Sequence, residues 1–152
     1  MSKRVDDIDD AKILSGFNAI CFPSLGLLKL DGSVEIGGGV VRHIANVSPN
    51  FFSSIFGIKI RENGLILQEI FSIEIENQIV SIVFFPMRSS ISNITDFSLI
   101  KKNIEELKSL TNVKGWEKVL ITKIGHYGII GVGALLRELD DRFYIVNGIN
   151  GV

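Results

Sequence analysis

The sequence has little of what usually announces a chemistry. It holds one cysteine, Cys21, so no intramolecular disulfide forms and no zinc cluster can be built from thiolates. Cys21 lies inside an apolar run and reads as a small buried hydrophobe rather than a nucleophile. Two histidines, His43 and His126, are too few and too far apart to hold a metal, and no metal or cofactor is expected. Excess charge is absent too: 16 Lys and Arg stand against 17 Asp and Glu, a net charge of −1. That balance gives no general attraction to polyanions and excludes a nucleic-acid coat function. No apolar stretch approaches a membrane span, and residues 1–10 are charged and lack a signal-peptide core. No membrane partner is expected, and the expected address is the cytoplasm.

What is present is a core and an abundance of glycine. With 152 residues, 46% of them hydrophobic and 22% charged, the chain is expected to form a single globular domain over 1–152. A short buried strand is predicted from Asn18 to Pro23, after a weak helical turn at Asp9 to Leu14. A glycine-rich loop follows, and Val40 to Ala45 predicts a helix that stops before Pro49. Phe51 to Ile60 predicts a short helix, and Glu62-Asn63-Gly64 a turn. Leu65 to Ile75 and Ile79 to Phe85 predict two strands joined through Glu76-Asn77-Gln78, with Pro86 closing the second. Thr95-Asp96 caps a helix from Phe97 to Leu110, whose apolar face is Phe97, Ile100, Ile104, Leu107 and Leu110. Asn112 to Gly115 ends it. Glu117 to Ile124 predicts a strand, Gly125 to Gly133 a second glycine-rich loop, Ala134 to Leu139 a helix and Arg142 to Val146 a last strand. Interleaved strands and helices point to an α/β domain with helices on both faces of a parallel or mixed sheet.

The two glycine-rich loops repeat one physical idea. Gly37-Gly38-Gly39 leads into a predicted helix, and Gly125-His126-Tyr127-Gly128 follows a predicted strand and precedes another. Ligands of open α/β sheets bind beyond the carboxyl ends of strands. Glycine there lets backbone N–H groups approach a phosphate, whose charge the helix N-terminus favours. Neither loop matches a P-loop or a Gly-x-Gly-x-x-Gly fingerprint, and plain turns would also use these glycines.

Several segments, in order, resemble the macro domains. They are Ile20-Cys21-Phe22-Pro23-Ser24-Leu25-Gly26, Lys29-Leu30-Asp31-Gly32-Ser33, Ile36-Gly37-Gly38-Gly39-Val40-Val41, Phe85-Pro86-Met87-Arg88, Gly115-Trp116-Glu117-Lys118-Val119-Leu120 and Leu139-Asp140-Asp141-Arg142-Phe143. The resemblance covers nearly the whole chain. It implies a three-layer α/β/α fold with a mixed central sheet and a cleft for ADP-ribose or a related nucleotide. It places Asp7, followed by Ile8, where the family's aspartate accepts the adenine amino group; a solvated acidic N-terminus is the other reading. Ser24, Gly37, Gly38, Gly39 and Val40 would line the first ligand loop, and Gly125, His126, Tyr127 and Gly128 the second. Phe143 and Trp116 read as core.

The departures set the functional alternatives. Leu25 stands where the family has an asparagine near the distal ribose, and leucine neither donates nor accepts a hydrogen bond. Arg88 replaces a lysine, keeping charge but not proton-transfer ability. The second loop lacks the family's run of small residues. The leading expectation is a binding module for ADP-ribose, for a cyclic or modified relative, or for an ADP-ribosylated macromolecule. Such a module would act as a reader, or as a phage protein sequestering a nucleotide in the host cytoplasm against a defence. One alternative is an ADP-ribosyl hydrolase or ADP-ribose 1″-phosphate phosphatase, with Lys29, Asp31 and His126 as the catalytic candidates and Tyr127 beside them; an ordinary polar turn around Gly32 is the plainer reading of Lys29 and Asp31, and an exposed loop histidine the other reading of His126. The other alternative is a ligand-free interaction domain. A mean hydropathy of +0.34 is compatible with a homodimer face.

Overall fold

The computed structural model describes residues 3–5, 16–34, 49–89, 96–122 and 136–146. Among them, six strands form one mixed sheet: β1 (Lys3–Val5), β2 (Ala19–Ser24), β3 (Gln68–Ile75), β4 (Gln78–Pro86), β5 (Val119–Ile121) and β6 (Phe143–Val146). Their order is β1-β6-β5-β2-β4-β3. Every neighbouring pair is parallel except β3 with β4. Two helices are described, α1 (Pro49–Asn63) and α2 (Phe97–Lys114).

Alternation along β2 explains the layering. Ile20 and Phe22 face one cluster with Ile82, Phe84 and Leu120, which α1 covers with Phe52, Phe56 and Ile60. Ala19 and Cys21 face the other, with Val83, Phe85, Val119, Ile121 and Phe143, which α2 covers with Ile100, Ile104 and Leu107. A strand buried on both faces reads as an unbroken apolar run, as Ala-Ile-Cys-Phe-Pro does here. The result is three layers, α/β/α. On the α1 side, Phe22 meets Phe52 and Phe56 edge-to-face with ring centroids 5.6 and 5.7 Å apart, the geometry aromatic quadrupoles prefer.

Element ends depart from the sequence expectations for identifiable reasons. Pro49 opens α1, where a missing N–H costs nothing. α1 then runs to Asn63, beyond the expected Ile60, and Gly64 ends it at φ 84°. β3 starts at Gln68 rather than Leu65. Its hairpin to β4 is a two-residue turn, because Glu76 (φ 48°) and Asn77 (φ 67°) both adopt the left-handed backbone such turns need, and Gln78 joins the ladder. α2 has Asp96 as its N-cap, accepting from Leu99 N at 3.1 Å, and Gly115 as its left-handed C-cap. It extends past Leu110 to Lys114. Phe97 is exposed rather than buried, and Asn103 takes a core position instead. β5 begins at Val119, not Glu117, because the Glu117 and Lys118 N–H groups are held by Asn18 Oδ1, each at 2.9 Å. Of the predicted Ala134–Leu139 helix, Leu136 is helical and residues 137–139 form a turn. The predicted elements at Asp9–Leu14 and Val40–Ala45 lie outside the described residues.

Cys21 is fully buried, and burial pushes its thiol far above the usual range, so it stays protonated and inert. Phe143 and Trp116 are both core residues. No helix among the described residues is long and apolar enough to cross a membrane.

Candidate functional site

The parallel strands β1, β6, β5, β2 and β4 all end on one edge of the sheet. From β2 the chain proceeds through α1 and β3 to β4, on one side. From β5 it proceeds to β6, on the other. Connections that leave neighbouring strands in opposite directions open a crevice at their carboxyl ends, and open α/β sheets bind ligands in such crevices. Here the crevice lies between the ends of β2 and β5. Those are the two strands from which the glycine-rich segments follow in sequence.

On the β2 side the backbone is held tightly. Ser24 Oγ accepts from Gly26 N at 3.0 Å, and Ser24 O accepts from Met87 N at 2.9 Å. Gly26 has φ 65°, the left-handed backbone that favours glycine, and a Cβ there would press on the Leu65 and Phe84 side chains, 2.7 Å from Leu65 Cδ2 and 3.0 Å from Phe84. Leu25 turns its side chain into the α2-side core. Its carbonyl accepts from Arg88 Nε at 2.5 Å, while Arg88 also donates to Gly26 O at 3.3 Å and Ser89 O at 3.1 Å. Partial burial lowers the Arg88 pKa from its ordinary value, yet the guanidinium stays charged at any physiological pH. Arg88 therefore clamps the end of β2 to the end of β4. Asn103 adds a second tie, donating from α2 to Pro86 O at 2.8 Å.

Beyond Gly26 the chain makes a narrow turn closed by a Leu28–Val34 bridge. Asp31 Oδ1 accepts from Ser33 N at 2.9 Å and from Ser33 Oγ at 2.6 Å. The Ser33 hydroxyl, before all else, holds the Asp31 carboxyl below its ordinary range, with Lys29 contributing. Lys29 is exposed. The turn is docked on α1: Val34 N donates to Ser53 O at 3.0 Å, and Arg61 Nη1 to Gly32 O at 3.0 Å. The approach is close enough that a Cβ on Gly57 would fall 1.8 Å from Gly32 O.

On the β5 side, Thr122 continues the ladder by donating its N–H to Cys21 O at 2.9 Å. Its side chain is buried, and Thr122 Oγ1 has no hydrogen-bond partner. An unpartnered buried hydroxyl costs on the order of 1–3 kcal/mol. In the sequence Thr122 carries no signal beyond one hydroxyl ending the apolar run Val-Leu-Ile-Thr.

Of the residues singled out from sequence, Ser24 lies at the crevice, and Lys29 and Asp31 lie on the α1-docked turn that follows β2. Asp7, Ile8, Gly37, Gly38, Gly39, Val40, Gly125, His126, Tyr127 and Gly128 lie outside the described residues. No cluster of three or more His, Cys, Asp or Glu fit to hold a metal occurs among the described residues.

No family model matches the chain, and no curated protein matches it in sequence. Solved structures do match in fold. The macrodomain of Thermus aquaticus DarG superposes with a TM-score of 0.54 at 10% identity, over 96% of this chain and 97% of that one. The macrodomain of Mycobacterium tuberculosis DarG gives 0.54 at 12% identity, over 95% and 97%. Thermosipho africanus DarTG in complex with ADP-ribose gives 0.59 at 14% identity; the match takes in 97% of this chain and 42% of that longer one. At these identities the likeness speaks for the fold.

Proposed function

We propose, from the macrodomain fold of this chain, that it binds ADP-ribose or a related NAD-derived nucleotide in the crevice between the carboxyl ends of β2 and β5. The observation that carries this reading is the divergence of the chain at those two strands. It puts the starts of the two glycine-bearing segments on either side of one crevice. Gly37, Gly38 and Gly39, leading into Val40, would approach the diphosphate on one side, and Gly125, His126, Tyr127 and Gly128 on the other. Asp7 and Ile8 would meet the adenine, and Ser24 would sit at the crevice floor. Backbone N–H groups suit a diphosphate without a basic patch, in keeping with the chain's net charge of −1. That the Thermosipho protein was solved with ADP-ribose supports the choice of ligand.

Binding without turnover is favoured over hydrolysis by two side chains. Leu25, at the family's asparagine position, is turned into the core. Asp31, the candidate base, is engaged by Ser33 and has its proton affinity lowered, whereas a base works best with a pKa near the working pH. A binder of this kind serves as a reader of ADP-ribosylated partners or sequesters a free nucleotide.

The test is calorimetric titration with ADP-ribose, with NAD, cyclic ADP-ribose and AMP in parallel. Saturable one-to-one binding is expected, abolished by Gly38→Glu, which sets a carboxylate against the diphosphate. Absence of heat with all four, from a folded sample, would leave the ligand-free interaction domain as the better reading. Release of ADP-ribose from a modified protein, lost in His126→Ala, would instead establish the hydrolase.

A further inference from the structure

Among the described residues, one buried side-chain nitrogen or oxygen lacks a hydrogen-bond partner: Thr122 Oγ1. The other buried threonine shows how such a group is normally accommodated, since Thr111 Oγ1 donates to Leu107 O at 2.7 Å inside α2. On the neighbouring strand end, Ser24 Oγ accepts from Gly26 N. Packing does not call for the hydroxyl of Thr122, because valine has the same shape and carries nothing to satisfy. Along β5, Val119 and Ile121 face the α2 side and Leu120 the α1 side. The period-two alternation therefore sends Thr122 to the α1 side. It stands at the carboxyl end of β5, next to β2, where the chain's connections diverge. Departures from local packing economy concentrate at functional sites, and binding pockets are largely apolar with a few placed polar groups.

We propose that Thr122 Oγ1 is a ligand-contacting group, which hydrogen-bonds an oxygen in the diphosphate–ribose portion of the nucleotide directly or through one trapped water. This assignment rests on the nucleotide-binding reading above. It makes Thr122 a specificity determinant on the β5 side of the crevice, facing the tightly held β2 side.

The experiment compares wild type, Thr122→Val and Thr122→Ser by thermal unfolding without ligand and by calorimetry with ADP-ribose. A group left unpartnered for a ligand gives effects of opposite sign. Thr122→Val should unfold at the same or a higher temperature than wild type and bind ADP-ribose about tenfold more weakly. Thr122→Ser, which keeps the hydroxyl, should recover most of the affinity. Repeating the titration with ADP locates the contact: a penalty kept with ADP assigns the hydroxyl to the diphosphate, and one seen only with ADP-ribose assigns it to the distal ribose. Equal affinity of Thr122→Val and wild type for ADP-ribose would overturn the assignment and leave nucleotide binding intact. So would a fall of several degrees in the unliganded Thr122→Val melting temperature, since it would mean that the hydroxyl already has a structural partner. Failure of wild type itself to bind any nucleotide overturns the underlying reading, and this assignment with it.

Discussion

At the amino edge of the parallel strands, side chains close over the strand starts. Asn18 ties β2 to β5 through its Oδ1 and through its own N–H to Lys118 O, and its carbonyl accepts from Ser81 N of β4. Gln78 donates to Phe17 O. Lys118 Nζ lies 4.9 Å from the Phe17 ring centroid and 5.1 Å from that of Tyr144, a cation held between two aromatic faces. Arg142 grips Asp140 and reaches Asn112 at the end of α2. The carboxyl edge is built otherwise. Arg88 and Asn103 donate to backbone carbonyls there, the Ser24 hydroxyl accepts from a backbone N–H, and the Thr122 hydroxyl is left over. One edge satisfies its polar groups across strands and stabilises the fold. The other fixes backbone positions and leaves the Thr122 hydroxyl without a partner.

That contrast fails if amino-edge changes alter binding as much as stability. The largest expected effect is at Asn18. Asn18→Ala removes two hydrogen bonds worth about 1 kcal/mol each, so the melting temperature should fall by about 4–8 °C while the affinity for ADP-ribose of the folded protein stays within about twofold of wild type. A parallel loss of affinity measured by calorimetry would show that the two edges are not separable.

Gly57→Ala probes the link between α1 and the turn that carries the chain away from the carboxyl edge. Helix propensity alone predicts a gain of about 1 kcal/mol. The new Cβ would instead meet Gly32 O at 1.8 Å, and backbone cannot yield as a side-chain tip does. A net loss of about 1–2 kcal/mol in denaturant unfolding is expected, with weakened nucleotide binding, because the displaced turn leads toward Gly37. A stabilised Gly57→Ala protein would mean that the docked turn contributes nothing.

The smallest effect is at Asp140. Hydrogen bonding from Arg142 lowers its pKa from 3.8 to about 2. A folded-state pKa below the unfolded one contributes stability that is present above the unfolded value and is lost as pH falls through the folded one. Asp140→Asn should therefore narrow its gap to wild type between about pH 4 and pH 2. The gap should be small throughout, since this partly exposed pair is screened by solvent. A gap that widens toward acid would reverse the sign of the linkage.

The elements legible in the sequence were those governed by local rules. The unbroken apolar run of β2, the Asp96 cap and the Gly115 stop carry their own signals, and the resemblance pointed to the three-layer arrangement. What was not legible depended on partners far along the chain. Asn103 looks like a surface residue until Pro86 O is placed beside it. Glu117 looks like a strand start until Asn18 takes its N–H. Thr122 gave almost no signal, because a threonine in a β-rich run is ordinary and only burial without a partner makes it exceptional. The plainer reading of Lys29 and Asp31, a polar turn around Gly32, fits the Asp31–Ser33 bonds, with which the turn locks itself.

The pairing of β1 with β6 has a consequence for how the protein is made. Lys3 pairs with Tyr144 and Val5 with Val146, positions 141 residues apart in the chain. At cellular rates of synthesis β1 must wait roughly 7–30 s for its neighbour to be polymerised, whereas the β3–β4 hairpin, closed by two residues, forms within microseconds of emerging. Among the described strands, β1 is the one that a ribosome holds longest without a partner, because its neighbour β6 is the last of them to be polymerised.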